Sequence, residues 1–492
     1  MPRVQCRIGR QFSWDVVNLA APNSFGKRAR FDREDTVHQD PPVLGGAQPC
    51  PEDRARYNRV SPDMGSPGCF SNIPVAEETH VNIHRLPRLL ALVAGVSTSV
   101  MAQGAHSQEP DPNVPVTARP RPDFDPLGIR AGGFLIYPSA GVAASYDDNV
   151  FATEDDTTDD FIFNFLPGFL VRSNFPRHAI NFSAQADIGR YVSETSENYE
   201  DFGAELNGLL DITRANRLTG GINFARSHDE RDDPEDPGAD VREEPVEFYE
   251  YGADLGFQQE FNRLNFSLRG TFDRDDFQER DPEDNEDLRD RNLYGARLRS
   301  GYFISPRINA FLQGGYRREE RDASNKSGRD NNVYSAGVGT EIDFTGLLFG
   351  EVFAGWSLQE FDESEFDSEN GFTYGVNLTW NPTRLTSVRL DGTGGFEPST
   401  VGSSRLESDI GLRVDHELLR NLLIGGQVAY SRDDFQDTDR TDNRIDVGPS
   451  LTYFVNRNLS VGAAYTFTTR QSDLSEREFD RNVVSLRVTA QL

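Results

Sequence analysis

Cysteine, lysine and long hydrophobic runs are all scarce in this sequence. The three cysteines, Cys6, Cys50 and Cys69, lie in the first 70 residues, so no disulfide or cysteine-based metal framework is expected downstream. The apolar stretch Leu89–Ala102 is shorter than the ~20 residues that a membrane-spanning helix needs. These absences exclude a helical anchor at that stretch and a disulfide scaffold in the rest of the chain.

Positive charge is also in short supply. The chain carries 80 Asp and Glu residues against 50 Lys and Arg residues, a net charge of −30, and nearly all of the positive charge is arginine. Because the phosphate backbone of nucleic acids would be repelled, no nucleic-acid partner is expected. The arginines are interleaved with Asp and Glu, a pattern typical of paired charges on a solvated surface.

The low average hydropathy does not exclude a membrane protein. The mean hydropathy is −0.60 and 36% of the residues are hydrophobic, values that by themselves suggest a soluble or partly disordered protein with a thin core. In a transmembrane β-barrel, however, lipid-facing and lumen-facing residues alternate, so half of every strand is polar and the average conceals the membrane signal.

The start of the mature protein is predicted near residue 103. His84–Arg88 is basic, Leu89–Ala102 is apolar, and Val100-Met101-Ala102 forms a cleavage box, which together predict a signal peptide at 84–102. Residues 1–83 then form a non-native extension or an over-long gene model, with a genuine cytoplasmic extension as the alternative. The proline-rich stretch 103–133 is predicted to be a periplasmic linker, although it could also enter a pore.

From residue 134 onward the chain repeats one pattern of strand, turn, strand and loop. In the stretch 178–192, every second side chain is apolar, and the side chains between them are polar or small. This alternation predicts a β-strand whose two faces contact different solvents. These apolar residues are Ile180, Phe182, Ala184, Ala186 and Ile188. The same alternation predicts strands at 135–146, 159–172, 178–192, 200–213, 217–228, 248–260, 263–274, 291–304, 307–319, 332–344, 347–360, 370–380, 384–396, 405–416, 421–432, 443–454, 458–470 and 479–492.

Short turns and long acidic connections alternate between these strands, as in outer-membrane barrels with tight periplasmic turns and long external loops. The connection 229–247 is so acidic that it is expected to stand in water. We therefore predict an all-β fold, an antiparallel transmembrane β-barrel of about 18 strands over residues 134–492. Sixteen strands is the alternative count, because the first hairpin contains Pro138 and Pro167.

Aromatic residues at strand ends predict an interfacial girdle on the outside of the barrel. These residues are Phe248, Tyr249, Tyr251, Phe261, Phe303, Phe344, Trp380 and Phe454.

The segment Ala144–Thr153, ASYDDNVFAT, resembles the opening of the putative β-barrel porin type 2 family. The resemblance covers about 134–492 and implies a Gram-negative outer-membrane barrel, often associated with exopolysaccharide systems, with a role as a pore or in export. The last strand, Asn482–Leu492, resembles the terminal strand that barrel-assembly machinery recognises, but it ends in Leu492 where an aromatic residue is usual.

Charged residues on the inward phase of the strands are the candidate functional residues. Rings of mixed charge set the ion selectivity of pores, whereas the alternative is that these charges brace the wall as ion pairs. The predicted pore-lining residues are Arg269, Arg297, Arg299, Arg389, Asp391, Glu407, Asp409 and Arg413.

No pattern in the sequence predicts a cofactor or a metal site, since the acidic stretch 232–240 lacks the spacing of an EF-hand. His228, which lies beside several carboxylates, permits a hydrolase hypothesis. The main prediction is a non-enzymatic passage for small solutes or polysaccharide, and the second is a plugged structural or adhesive barrel. Expected partners are outer-membrane lipid, lipopolysaccharide and the barrel-assembly machinery.

Overall fold

The computed structural model of the protein describes residues 114–235, 244–278, 289–321, 329–344, 346–364 and 366–492. The predicted N-terminal extension, signal peptide and cleavage region lie outside these ranges. Short 3-10 helices occur at Val116–Ala118, Thr195–Glu197 and Ser475–Arg477. No helix in the described ranges is long and apolar enough to cross a membrane.

The described residues form one antiparallel sheet of nineteen strands. The strands are β1 (Ile129–Ala131), β2 (Phe134–Asp147), β3 (Asp160–Ser173), β4 (Ala179–Tyr191), β5 (Tyr199–Asp211), β6 (Asn216–His228), β7 (Glu247–Phe261), β8 (Leu264–Phe277), β9 (Arg291–Ser305), β10 (Ile308–Arg321), β11 (Asn331–Phe344), β12 (Leu348–Phe361), β13 (Glu369–Thr383), β14 (Thr386–Glu397), β15 (Arg405–Leu419), β16 (Leu422–Phe435), β17 (Arg440–Asn456), β18 (Leu459–Ser472) and β19 (Phe479–Gln491).

Strands β2 to β19 close into a barrel, because each pairs with the next and β19 pairs with β2 through contacts such as Leu486 with Ala144. Eighteen strands therefore form the wall, which confirms the predicted count and rules out sixteen. The first hairpin tolerates its prolines: the β3–β4 pairing passes from Phe165 to Gly168 without pairing Pro167, which has no N–H to donate.

The short strand β1 was not predicted, since its residues fall in the segment assigned to a linker. It forms a tight hairpin with β2, in which Ala131 pairs with Phe134. Gly132 in the turn has a φ of 61°, a left-handed conformation that glycine adopts at low cost. A strand of three residues is too short to show a period of two.

The connections at one end of the barrel contain two to five residues, and those at the other end contain four to eighteen. The first residue of β2 and the last of β19 both lie at the short-turn end. In bacterial barrels this end faces the periplasm, so the long connections are external, as predicted.

The outer surface of the wall is apolar. Leu298, Leu312 and Val338 are 57%, 64% and 58% exposed, as expected for side chains that contact lipid. Among the predicted girdle residues, Tyr251, Phe261, Phe344 and Trp380 are also exposed at 40–51%, and Tyr249 shares their phase.

The girdle prediction is wrong for Phe248, Phe303 and Phe454, which lie on the inward phase of their strands. Phe248 is 1% exposed and stacks on Phe277 with ring centroids 5.0 Å apart. A position near a strand end does not decide which face a side chain takes; the phase of the alternation does.

Candidate functional site

Contacts between strands that are not neighbours identify the inner face of the wall. Arg299 of β9 bonds to Glu351 of β12 at 2.6 Å, and Arg317 of β10 bonds to the carbonyl of Phe396 on β14 at 2.5 Å. Because these strands are separated around the wall, their side chains meet only through the barrel interior.

The first part of the longest external connection folds into the barrel. We call residues Asp229–Glu235 the inner loop. Asp229, Arg231, Asp232 and Glu235 are only 4–8% exposed. The expectation that this acidic segment stands in water is therefore wrong for these residues, while residues 236–243 lie outside the described ranges.

Arginines from the wall and from the β8–β9 connection neutralise the inner loop. Asp229 pairs with Arg289, which precedes β9, and Asp232 pairs with Arg444 of β17. Glu235 pairs with Arg405 of β15 at 3.4 Å. Burial of a carboxylate costs several kcal/mol unless it is paired and hydrogen-bonded, and these arginines supply the charge that local composition does not show.

Further hydrogen bonds attach the inner loop to several sides of the barrel. Arg231 makes a bidentate pair with Glu197 in the β4–β5 connection, at 2.6 and 2.9 Å. The Asp232 carbonyl accepts from Arg470 of β18 at 2.7 Å. The Thr400 amide of the β14–β15 connection donates to Glu235 at 2.9 Å. The inner loop thus crosses the interior at its external end and narrows it.

The wall around the inner loop contains arginine and carboxylate residues two positions apart in one strand. Arg405 bonds to Glu407 at 2.8 Å, and Arg444 bonds to Asp446 at 3.0 Å. Residues i and i+2 of a strand share a face, so an Arg-x-Asp or Arg-x-Glu spacing on the inward phase is the sequence signal that would have located this network.

The eight predicted pore-lining residues all lie on the inward phase, although their role in selectivity stays a prediction. Six of them make ion pairs or hydrogen bonds with identified partners: Arg269 with Asp254 at 3.1 Å, Arg299 with Glu351 at 2.6 Å, Arg389 with Asp415 at 3.3 Å, Arg413 with Asp415 at 3.1 Å, Asp391 with Asn377 at 3.1 Å, and Glu407 with Arg405 at 2.8 Å. Glu407 belongs to the buried network and is 3% exposed, whereas Arg297 and Asp409 are half-buried.

At mid-height the inner face is accessible to water. Gln185, Asn223, Asn377, Asp391 and Thr393 all point inward by phase, and all are exposed. Since these side chains are separated from the surrounding lipid by the wall, their exposure indicates water-accessible space inside the barrel.

A segment before β1 packs inside the periplasmic mouth. Val116 is 0% exposed, and its amide donates to Ser387 Oγ of β14 at 2.7 Å. Arg121 pairs with Glu417 of β15 at 3.3 Å, and Phe124 lies 6.3 Å from the Phe454 ring of β17. Of the two options left open for this proline-rich stretch, the described part from residue 114 enters the barrel.

His228 lies at the external end of β6. Its Nδ1 is 2.9 Å from an Asp201 oxygen, and its ring stacks on Tyr199 with centroids 4.1 Å apart. The described residues contain no cluster of three or more His, Cys, Asp or Glu side chains arranged to hold a metal ion.

A closed barrel with an apolar outer surface and a charged, water-accessible interior defines an outer-membrane β-barrel of the porin class. The protein is accordingly placed in the bacterial outer membrane. The chain belongs to the family described as Putative beta-barrel porin 2, whose model matches residues 121–492. No curated protein matches the chain in a sequence comparison.

Several solved structures from Pseudomonas aeruginosa are similar in fold. OpdL is 12% identical with a TM-score of 0.39, over 74% of this chain and 99% of its own. The outer membrane protein opdK is 14% identical with a TM-score of 0.39, over 73% and 99%. The siderophore receptor PirA is 9% identical with a TM-score of 0.36, over 73% and 80%. Similarity at this level transfers no substrate.

Proposed function

We propose that this protein is a non-enzymatic passage through the outer membrane of a Gram-negative bacterium for small hydrophilic solutes. The observation that carries the proposal is the combination of a polar, water-accessible inner face at mid-height with an inner loop that narrows the external half. A polysaccharide chain is the less favoured cargo, because an inner loop held by buried ion pairs leaves less room for a polymer than for a small solute.

The surroundings of the barrel are part of the proposal. The exposed apolar outer face suits lipid, and the arginine and carboxylate residues at its external rim suit lipopolysaccharide through ion pairs and bridging cations. The antiparallel closing strand β19 suits delivery by the barrel-assembly machinery.

The test is single-channel conductance of the full-length protein, refolded in detergent and inserted into a planar bilayer. We expect stable open steps. Alanine at Arg297, Arg299 or Arg389 should shift the reversal potential toward cation selectivity, because each change removes a positive charge from the inner face. The matched control is Arg432→Ala, which removes an outward arginine that is 48% exposed and should leave the reversal potential unchanged.

Two other outcomes identify the alternatives. Insertion without any open steps would contradict the proposal and favour the plugged structural barrel. Hydrolysis of a peptide substrate that disappears in His228→Ala would favour the hydrolase, for which the contact between His228 and Asp201 is the supporting observation.

A further inference from the structure

A cavity lies beneath the start of the inner loop, against the wall formed by β2 to β5 and by β18 and β19. Its polar lining includes Asp187, Tyr191, Glu230, Ser485 and Arg487. Its apolar lining includes Val150, Ile162, Leu166 and Val483. A concave site with an apolar wall and a few converging polar groups is the usual form of a small-molecule site.

Three charged groups in this cavity have no partner of opposite charge within 4 Å among the described residues. Asp187 accepts a hydrogen bond from Asn164 Nδ2 at 2.8 Å. Arg487 donates to Thr489 Oγ1 at 3.2 Å. For the Glu230 carboxylate, the described part of the chain offers no hydrogen-bond donor.

Other charges around the same cavity are paired. Arg481 bonds to Asp147 at 2.5 Å, and Arg231 bonds to Glu197 at 2.6 Å. An unpaired charge in a partly desolvated site is costly unless a ligand or water compensates it. The paired residues therefore stabilise the fold, whereas Asp187, Arg487 and Glu230 are available to bind a solute.

The positions of the unpaired groups define the shape of that solute. Asp187 on β4 and Arg487 on β19 are three strands apart around the wall, or roughly 14 Å along it at the usual spacing of about 4.8 Å per strand. Both side chains point inward and shorten this gap. Glu230 approaches the same cavity from the inner loop, so two carboxylates and one guanidinium surround a common space.

We infer that this cavity binds a small zwitterionic solute, such as an amino acid with an apolar side chain. Its ammonium group would contact Asp187 and Glu230, its carboxylate would contact Arg487, and its side chain would lie against Ile162, Leu166 and Val483. The inference rests on the proposed function, because it places a solute site within the passage.

The test is isothermal titration calorimetry of the full-length protein in detergent micelles at low salt and pH 8, where Glu230 is ionised. The probe is L-leucine, and the comparison compounds are isopentylamine, which lacks the carboxylate, 4-methylpentanoate, which lacks the amine, and glucose. We expect leucine to bind at least tenfold more tightly than either half-compound. Equal affinity for leucine and a half-compound, or tighter binding of glucose, would overturn the inference.

Variants assign the two ends of the solute. Arg487→Gln should weaken leucine binding about tenfold without changing the affinity for isopentylamine, whereas Arg487→Lys should keep most of the leucine affinity. Asp187→Asn and Glu230→Gln should weaken the binding of both leucine and isopentylamine, the two probes that carry an ammonium group. Arg432→Gln is the matched control on the outer face, and Glu363→Gln is the control in an exposed connection. Leucine binding that is unaffected by Arg487→Gln would contradict the inference.

Calorimetry keeps the two proposals separable. A barrel that conducts ions but does not bind leucine overturns this inference and leaves the proposed passage intact. A barrel that binds leucine but never opens in a bilayer supports the cavity as a zwitterion site and overturns the passage.

Discussion

At the scale of single residues, the interior is organised by arginine. Arg440 and Asp442 are 5% and 1% exposed and form a pair from positions two apart in β17. The guanidinium group binds carboxylates in a planar, bidentate manner and stays charged when buried, which an ammonium group does less well. The near absence of lysine is therefore consistent with a protein whose charges mostly lie in a crowded interior.

Glu230 is the residue whose protonation should control the inner loop. Its burial, together with the neighbouring Asp232 carboxylate, raises the pKa of Glu230 to about 7, above its ordinary value of 4.5. Between about pH 4.5 and pH 7, Glu230 therefore keeps its proton in the docked loop and loses it in the released loop. The docked arrangement is thus favoured most below pH 4.5, and it loses up to about 3 kcal/mol as the pH rises through 7.

We expect the gating of the channel to depend on pH through this residue. Current fluctuations from loop movement should become more frequent between pH 5 and pH 8 in the natural protein, and should stay at their low-pH level in Glu230→Gln. Recordings from single channels across this range measure the effect, with Glu363→Gln as a control that keeps the natural pH dependence. A natural protein without pH-dependent fluctuations would contradict this assignment.

At the scale of elements, the strands were predictable because their signal is local. The strand predicted at 332–344 differs by one residue from β11 at Asn331–Phe344, and the strand predicted at 217–228 differs by one residue from β6 at Asn216–His228. Differences of three residues occur at both ends of the barrel: β15 continues to Leu419 at the periplasmic end, and β8 continues to Phe277 at the external end. There the outward residues change from apolar to charged, as in Arg274 and Asp276, so the alternation ends before the strand does.

The inner loop was not predictable from the sequence, and the reason is distance along the chain. The carboxylates of residues 229–235 lie close together in sequence and indicate a solvated loop. Two of the arginines that neutralise them, Arg405 and Arg444, come from strands more than 160 residues later. The segment Val116–Ala118 presents the same difficulty, because its partner Ser387 is 271 residues away.

Arg444 is the residue whose loss should release the inner loop. Its side chain is 8% exposed and pairs with both Asp232 and Asp446. Arg444→Ala removes one charged partner from each of two buried carboxylates, a type of change that costs about 3–5 kcal/mol for a buried pair. We expect the loop to leave the interior while the barrel, which is closed by strand pairing, remains folded.

Cleavage by trypsin after Arg231 measures the release of the inner loop. Arg231 is 8% exposed and paired with Glu197, so the natural protein should resist cleavage after Arg231, and Arg444→Ala should be cut there at least tenfold faster. Arg432→Ala on the outer face is the control and should be cut at the natural rate. Equal cleavage of all three proteins would show that Arg444 does not hold the loop.

At the scale of the whole molecule, closure pairs both edges of each strand from β2 to β19 and separates two environments. The outer face contacts lipid through apolar residues, whereas the interior contains the ionic network, the water-accessible middle and the N-terminal segment in turn along the barrel axis. Because the wall is complete without the interior residues, the inner loop and the N-terminal segment are free to evolve with the solute while the fold is preserved.

The charge of the whole chain predicts that the open channel prefers cations. The net charge is −30, and Asp391 contributes an exposed carboxylate to the inner face at mid-height. The long-range attraction between this negative charge and cations weakens as the salt concentration rises, since the screening length falls from about 10 Å at 0.1 M to about 3 Å at 1 M. Reversal potentials under a potassium chloride gradient should therefore show a cation preference that declines as the mean salt concentration rises.

Asp391→Asn separates this inner-face contribution from the charge of the rest of the molecule. The variant should lose part of the cation preference at both about 0.1 M and about 1 M salt, because a carboxylate beside the permeating ion is screened less than a distant one. Asp362→Asn is the matched control, because Asp362 bonds to Arg318 at the external rim at 2.7 Å and should change the preference only at low salt. An anion-selective channel, or identical effects of the two variants, would show that charges other than the inner-face carboxylates determine which ions pass.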